Sequence, residues 1–581
     1  MKDFFKMLLA VVCGLLLFFF ITIFIAGGAF SAMGAAASGD KKAVLPRSGV
    51  LAVDMSAFML DEQTNSNGFT LSTAPTMPAV GILQAVRAIG IAAEDPGVKG
   101  IFLKTDGNAS SMAAVEEFRK AIADFRKSGK PVIAYIENPT TSGYWLASAA
   151  DKVYMTEYQG STITMNGVSL QTVFLKDLLD KLGVNVQLIR HGKFKSAGEM
   201  FTRNASSEEN TLQYQTMVNS FWGVIRKDIA EARGLTEEAV DAVIDNLELC
   251  SPEDFLTTHM ADDILTRQEL KEKICAMAVK ENFEDVGFMR LADYAAVKVT
   301  PNFKAKNKIA VIYAAGDIVD GNGFQGIAGD RFAGIVDKVR RDDNVKAVVL
   351  RVNSGGGSVL ASEKIKHELD LLAEEKPLVA SFGDYAASGG YWISNNCNMI
   401  YSDATTLTGS IGVFAMVPEF SKTTRKVLGV NVQSVSSNKH GDMFGLMRPF
   451  DQNEYNYILK SIEAVYEKFI TTVSEGREID KDKVDDMGQG RVWTGSDAIG
   501  LGLVDEIGTL SDAIDYAAVS TGYDLAELQI AEYPAPLTTF QQMMMMLNGT
   551  PDEGEFVKAQ ILKMSRPQVV ARMPYEITVL N

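Results

Sequence analysis

The sequence predicts an α/β protein in which one domain occurs twice, behind a single N-terminal transmembrane helix. Three observations predict it. Short apolar strands alternate with amphipathic helices. A set of landmarks recurs in order at an offset of about 245 residues. Residues Met7 to Ala29 are almost continuously apolar.

The apolar run comes first. Behind Lys2 and Lys6 it is long enough to span a bilayer, which takes about 20 apolar residues. A cleavable signal peptide has a shorter apolar region and a small-residue cut site, for which Ala35, Ala36 and Ala37 would serve. Length favours an anchor that stays. The two lysines keep the N-terminus in the cytoplasm and export the rest, although Lys41, Lys42 and Arg47 weaken the asymmetry. Residues 1–45 are thus anchor and linker.

The repeat comes next along the chain. Asp95-Pro96-Gly97-Val98-Lys99-Gly100-Ile101 resembles Asp342-Asp343-Asn344-Val345-Lys346-Ala347-Val348, and Lys130-Pro131-Val132-Ile133-Ala134 matches Lys376-Pro377-Leu378-Val379-Ala380. Ser142-Gly143-Tyr144-Trp145 matches Gly389-Gly390-Tyr391-Trp392, and Gly183-Val184-Asn185-Val186-Gln187 recurs as Gly429-Val430-Asn431-Val432-Gln433. The first copy covers residues 46–300, the second 301–535, and 536–581 form a tail. Met543 to Met546 in that tail fit a surface segment or a partner-facing helix.

Each copy reads strand, helix, strand. In the first, Ile101–Leu103 is a strand, Val115, Phe118, Ile122 and Phe125 share a helix face, and Val132–Tyr135 is the next strand. In the second, Val348–Leu350, then Ile365, Leu369 and Leu372, then Leu378–Ala380 repeat the pattern. A long helix comes later in both. Ser206 with Glu209, and Asp451 with Glu454, fit capping boxes, while Gly234 and Gly476 are expected stops.

Composition narrows the chemistry. A net charge of −17 argues against nucleic acid, which needs a basic face. The cysteines Cys13, Cys250, Cys275 and Cys397 are scattered, as are His191, His259, His367 and His440, so no disulfide framework, metal site or cofactor is expected.

Differences between the copies point to a site. Ser388 lies at a small-residue corner between an apolar run and a helix, where unpaired N–H groups favour negative charge. That suits a nucleophile and its oxyanion, and equally a simple helix cap. The first copy has Thr141 or Ser142 there, with one glycine instead of two and Pro139 ahead. The second copy also carries Asn353-Ser354-Gly355-Gly356-Gly357-Ser358, where the first has Thr105-Asp106-Gly107-Asn108-Ala109-Ser110. Without a following Gly-Lys-Ser/Thr this is no phosphate loop; an oxyanion hole, a substrate-strand edge or a cap turn remain. A serine nucleophile needs a base. His440 has no evident orienting acid. Lys195 in the first copy could serve if desolvated, or be an ordinary surface lysine; the second copy has Gly441 at that position.

These motifs resemble signal peptide peptidase A in its long, duplicated, membrane-anchored form. Carrying the resemblance are Asn353–Gly357, Asp384-Tyr385-Ala386-Ala387-Ser388-Gly389-Gly390-Tyr391, Thr408-Gly409-Ser410-Ile411-Gly412, Gly490–Gly495, Gly502–Asp505 and Lys193–Ala197. It implies two tandem ClpP/crotonase-like domains of repeated ββα units. It implies Ser388 as nucleophile, Lys195 as general base across the halves, and Ser410 orienting the lysine. Gly389 with Gly355 or Gly356 would supply oxyanion N–H groups. It further implies a homotetramer on the periplasmic side of a bacterial inner membrane, hydrolysing cleaved signal peptides and other extended apolar peptides. A crotonase-like acyl-CoA enzyme and an inactive membrane scaffold are the competing readings.

Overall fold

Parallel strands with helices between them build both halves. The computed structural model describes residues 43–64, 77–324, 326–535 and 570–573. The chain divides into two units, Met1–Pro46 and Arg47–Asn581. Every strand and helix of the described residues belongs to the second unit. The expected anchor at Met7–Ala29 and the Met543–Met546 run lie outside the described residues. Among the described residues, no helix is long and apolar enough to cross a membrane.

The first half holds a six-stranded parallel sheet, ordered Asp263–Leu265, Lys152–Thr156, Val132–Ile136, Val98–Lys104, Gly49–Asp54 and Phe288–Arg290. The second half repeats it, strand for strand, as Glu506–Ile507, Met399–Ser402, Leu378–Ala387, Val345–Ser354, Lys308–Ala315 and Gln529–Tyr533. The helices are amphipathic because their apolar residues recur at three and four. Val115, Phe118, Ile122 and Phe125 are buried on Met112–Arg126, as are Ile365, Leu369 and Leu372 on Val359–Glu375. A sheet strand, a short strand and a helix succeed one another in Val345–Ser354, Gly356–Ser358 and Val359–Glu375, whereas two short strands, Ile318–Val319 and Ile327–Ala328, separate Lys308–Ala315 from Gly329–Arg340. Equivalent bonds secure the corresponding corners: the hydroxyl of Tyr144 donates to the Met260 carbonyl, that of Tyr391 to Leu503.

Two boundaries differ from expectation. The helix Glu208–Arg233 is capped by Ser207, whose hydroxyl accepts the Asn210 N–H, and not by Ser206. Ser207 is also gripped by the buried Glu199, which accepts its N–H and its hydroxyl. The second long helix, Gln452–Arg477, starts with the expected Asp451–Glu454 capping box. It runs through Gly476 and ends at Glu478, which takes the left-handed conformation itself.

A third sheet crosses between the halves. Asn185–His191 of the first pairs antiparallel with Val413–Glu419 of the second over seven residues. This pairing carries the segment around Lys195 to the second half.

Candidate active site

The strand Leu378–Ala387 has 10 residues where its counterpart has 5. The extra length follows a register shift against Val345–Ser354 and leads directly into Ser388. Ser388 has φ 54° and ψ −113°, a conformation that costs a non-glycine residue about 1–3 kcal/mol. Its surroundings hold it there. Its N–H donates to the Gly409 carbonyl and its carbonyl accepts from Trp392, both at 2.8 Å. Asn353 fixes the approach by accepting the Tyr385 N–H at 3.1 Å. The first half has an ordinary cap here: Thr140 has φ −109° and its side chain accepts the Gly143 N–H, while Thr141 and Ser142, the residues that the repeat sets against Ser388, already lie inside the helix.

Lys195 reaches this corner from the other half. Its Nζ lies 2.8 Å from Ser388 Oγ, 2.9 Å from the Ser410 carbonyl and 3.0 Å from Ser410 Oγ. Lys195, Ser388 and Ser410 are all fully buried. Burial pushes the Lys195 amine well below the usual lysine range. A neutral amine has two N–H groups and one lone pair, which matches two Ser410 oxygens and one serine hydroxyl.

The Gly490–Gly495 stretch, a motif with no assigned task in the sequence, clamps the lysine. Gly490, at φ +78°, packs so tightly that a Cβ there would come within 2.5–2.7 Å of the Lys195 Cβ, N and Cα. The Gln489 carbonyl accepts the Phe194 N–H, and that of Arg491 accepts the Ser410 N–H at 2.6 Å. The Arg491 guanidinium lies between the Phe194 and Trp493 rings, 5.0 and 3.9 Å from their centroids. On the other side Arg190 donates to the Lys195 carbonyl at 2.7 Å.

The three expected oxyanion glycines sit together but differ in use. Gly389 opens the helix after Ser388, and a Cβ on it would lie 3.1 Å from Gly356 Cα. Gly356 donates its N–H to Ser354 Oγ at 3.1 Å, so that donor is already engaged. The Gly355 carbonyl accepts from Met573. His440 has an acid after all: its Nδ1 is 2.8 Å from Glu454, a carboxylate that Arg448 holds down at about 2. His440 and Gly441 lie exposed, whereas the neighbour of the Ser388 hydroxyl is Lys195.

The model for peptidase family S49 matches twice, over residues 124–279 and 370–524, more than half of the chain. The chain belongs to peptidase family S49. Its relatives include Protease 4 of Haemophilus influenzae, 31% identical over 94% of this chain and 90% of that protein. Protease 4 of Salmonella typhi is 32% identical over 86% and 82%, and the chloroplastic serine protease SPPA of Arabidopsis thaliana 30% over 78% and 68%. A solved ClpP1 mutant of Listeria monocytogenes covers 35% of this chain and 94% of its own, at 14% identity and a TM-score of 0.24. This S49 chain is a serine protease with two tandem family domains. The acyl-CoA enzyme and the inactive scaffold are set aside accordingly.

Proposed function

We propose that Ser388 and Lys195 form a Ser–Lys dyad that cuts cleaved signal peptides and other extended apolar peptides at a membrane. The observation that carries this reading is the 2.8 Å separation of Nζ and Oγ between two fully buried side chains. Neutral Lys195 takes the proton as Ser388 Oγ attacks a peptide carbonyl. The Gly389 N–H, with Gly355 or Gly356 after a small movement of the loop, holds the oxyanion, worth about 3 kcal/mol per good donor. The ammonium of Lys195 then protonates the leaving amine. Water attacks the acyl-enzyme, again giving its proton to Lys195, and Ser388 is regenerated. Ser410 fixes the amine so that its lone pair faces Oγ.

The wider setting rests on the resemblance to signal peptide peptidase A. Met7–Ala29 anchors the chain in a bacterial inner membrane, with its bulk on the periplasmic side. Each half has a ClpP/crotonase-like fold, and the chain assembles as a homotetramer. The repeat supports assembly. Asn185–His191 is covered by a strand of the other half. The matching stretch of the second half is exposed, with Val430, Val432 and Val435 at 50%, 53% and 93%. A second copy would cover it as the first half is covered, a head-to-tail contact that closes into a ring.

A serine-reactive phosphonate and a fluorogenic apolar peptide test the dyad. Ser388 alone should be labelled, and Lys195→Ala should lose activity. Full activity in Lys195→Ala would sink the proposal.

A further inference from the structure

Glu199 is a buried carboxylate that the proposed chemistry leaves without a task. It is 1% exposed and follows Lys195 by one helical turn of sequence. Four donors converge on it. Its Oε1 accepts from Arg190 Nη1 at 3.2 Å and from the Ser207 hydroxyl at 2.8 Å. Its Oε2 accepts the Ser207 N–H at 3.0 Å and, more loosely, Asn210 Nδ2 at 3.4 Å. The negative charge also stands at the N-terminus of Glu208–Arg233, where the helix favours it.

The donors come from two elements, and Glu199 sits on a third. Arg190 lies on Asn185–His191, the strand that pairs with the second half. The same Nη1 donates to the Lys195 carbonyl at 2.7 Å. Ser207 caps the long helix and Asn210 lies in its first turn. Glu199 itself ends the lysine loop, its N–H donating to the Ser196 carbonyl at 2.9 Å. Gly198 lets that loop lie on the strand, since a Cβ there would come within 2.5 Å of Leu188 Cδ1. Further along the helix, the buried Gln213 accepts the Val492 N–H at 2.8 Å. Val492 follows Arg491, whose carbonyl accepts the Ser410 N–H. One helix thus braces both the loop that carries Lys195 and the stretch that holds Ser410.

We infer that Glu199 is a positioning residue for Lys195, acting through Arg190 on the Lys195 carbonyl. The inference rests on the proposed Ser388–Lys195 dyad. The backbone at Lys195 sets where the amine falls, and the amine must meet the Ser388 hydroxyl while keeping both contacts to Ser410. A misplacement of about 1 Å can cost about 100-fold in rate. Glutamine cannot substitute for this carboxylate. With its NH2 at the Oε2 position it would face the Ser207 N–H; at the Oε1 position it would face the Arg190 guanidinium. In either orientation two donors oppose each other, and the brace on the Lys195 carbonyl loosens.

The experiment compares full-length Glu199→Gln, Arg190→Met and Thr236→Ala with the natural protein. Thr236 caps a different helix, Glu237–Asp245, by accepting the Ala239 N–H, so its loss reports on stability alone. The measurements are kcat and KM on a fluorogenic apolar peptide, the pH profile of kcat/KM, Tm, and the rate and final extent of Ser388 labelling by a phosphonate. Glu199→Gln and Arg190→Met should each lower kcat about 100-fold at unchanged KM. Labelling should be slower but reach the same extent. The rise of kcat/KM should move to higher pH, because burial is what lowers the Lys195 amine and a loosened loop admits water to it. The double variant should be no worse than either single one, since both act on one carbonyl. Thr236→Ala should lower Tm and keep kcat and the pH profile. Arg190→Met leaves the carboxylate on the helix turn, so it decides the question even where Glu199→Gln fails to fold. Unchanged kcat and pH profile in Arg190→Met would overturn the inference. So would a loss of activity matched by the loss in labelled fraction with the pH profile unmoved, which marks a purely structural role. Full activity in Lys195→Ala would instead overturn the dyad, and the role of Glu199 with it.

Discussion

Lys195 is a residue that is costly to the fold and, in the proposed dyad, necessary to the chemistry. Its amine is fully buried beside two serines, and desolvation keeps it well below the usual lysine range. The proposed base works only when neutral, so kcat/KM should rise with pH through the lowered pKa and then level off. A pH profile that falls over that range would exclude lysine as the base. The sign for stability comes from the same shift. In the unfolded chain the amine keeps its ordinary pKa, so between the two values the unfolded state binds one more proton than the folded state. Stability from this group therefore increases as pH climbs from the folded towards the unfolded value. Lys195→Met removes the penalty and retains the volume. It should unfold at a higher temperature than the natural protein at pH 7, while losing about 10⁴-fold or more in kcat. A lower Tm in calorimetry would show that the bonds to Ser410 outweigh desolvation. Removing Ser388 as well should cost nothing further, because the two act as a unit.

Helices offer a test in which two glycines give opposite results. Glycine inside a helix costs about 0.5–1 kcal/mol relative to alanine. Gly223 lies inside Glu208–Arg233 with open space where a Cβ would go, so Gly223→Ala should stabilise by about that amount. Gly476 lies in the last turn of Gln452–Arg477. A Cβ there would come within 2.7 Å of Asn395 Oδ1 and 2.9 Å of the Asn395 carbonyl and Asn396 Cβ. Gly476→Ala should destabilise by about 1–3 kcal/mol despite its better helix propensity. Urea unfolding of both variants checks the contrast. The same residue explains why the helix end is not where the sequence places it. Glycine near a helix end is a stop signal only if it is there for its backbone. Gly476 is there to let the corner behind Trp392 approach, and that partner is far away in sequence. Ser388 and Lys195 were legible for the opposite reason: the repeat supplied a blank copy of each motif for comparison. The strand Val570–Arg572 has no such counterpart among the described residues of the first half, so no comparison could expose it.

At the scale of the whole molecule, the two halves are held by charges that the sequence hid. Arg351 lies in an apolar strand, between Leu350 and Val352, and is 1% exposed. Its Nε donates to Glu62 at 2.7 Å and its Nη2 to Glu117 at 2.6 Å, both acids from the first half. Its Nη1 donates to Ser381 Oγ and the Phe382 carbonyl, both on the strand that leads to Ser388. From the same helix as Glu117, Glu116 accepts the N–H groups of Ala404 and Thr405, and Asp384 accepts the Ala113 N–H. One helix of the lysine half is thus bound by ions and hydrogen bonds to the serine half. Burial raises the Glu62 and Asp384 carboxyls, and Arg351 is the cation that opposes it in both. Losing one member of such a group leaves the others charged and unpaired, a cost of about 3–5 kcal/mol, whereas exchanging the whole group for apolar residues can be neutral. Arg351→Met should therefore destabilise strongly. Arg351→Met combined with Glu62→Leu and Glu117→Leu should recover much of the loss. If the arginine matters only as the weld between halves, the triple variant should regain activity along with stability. Regained stability without activity would mean that Arg351 also fixes the strand carrying Ser388, through Ser381 and Phe382. Calorimetry and phosphonate labelling of the same samples separate the two outcomes.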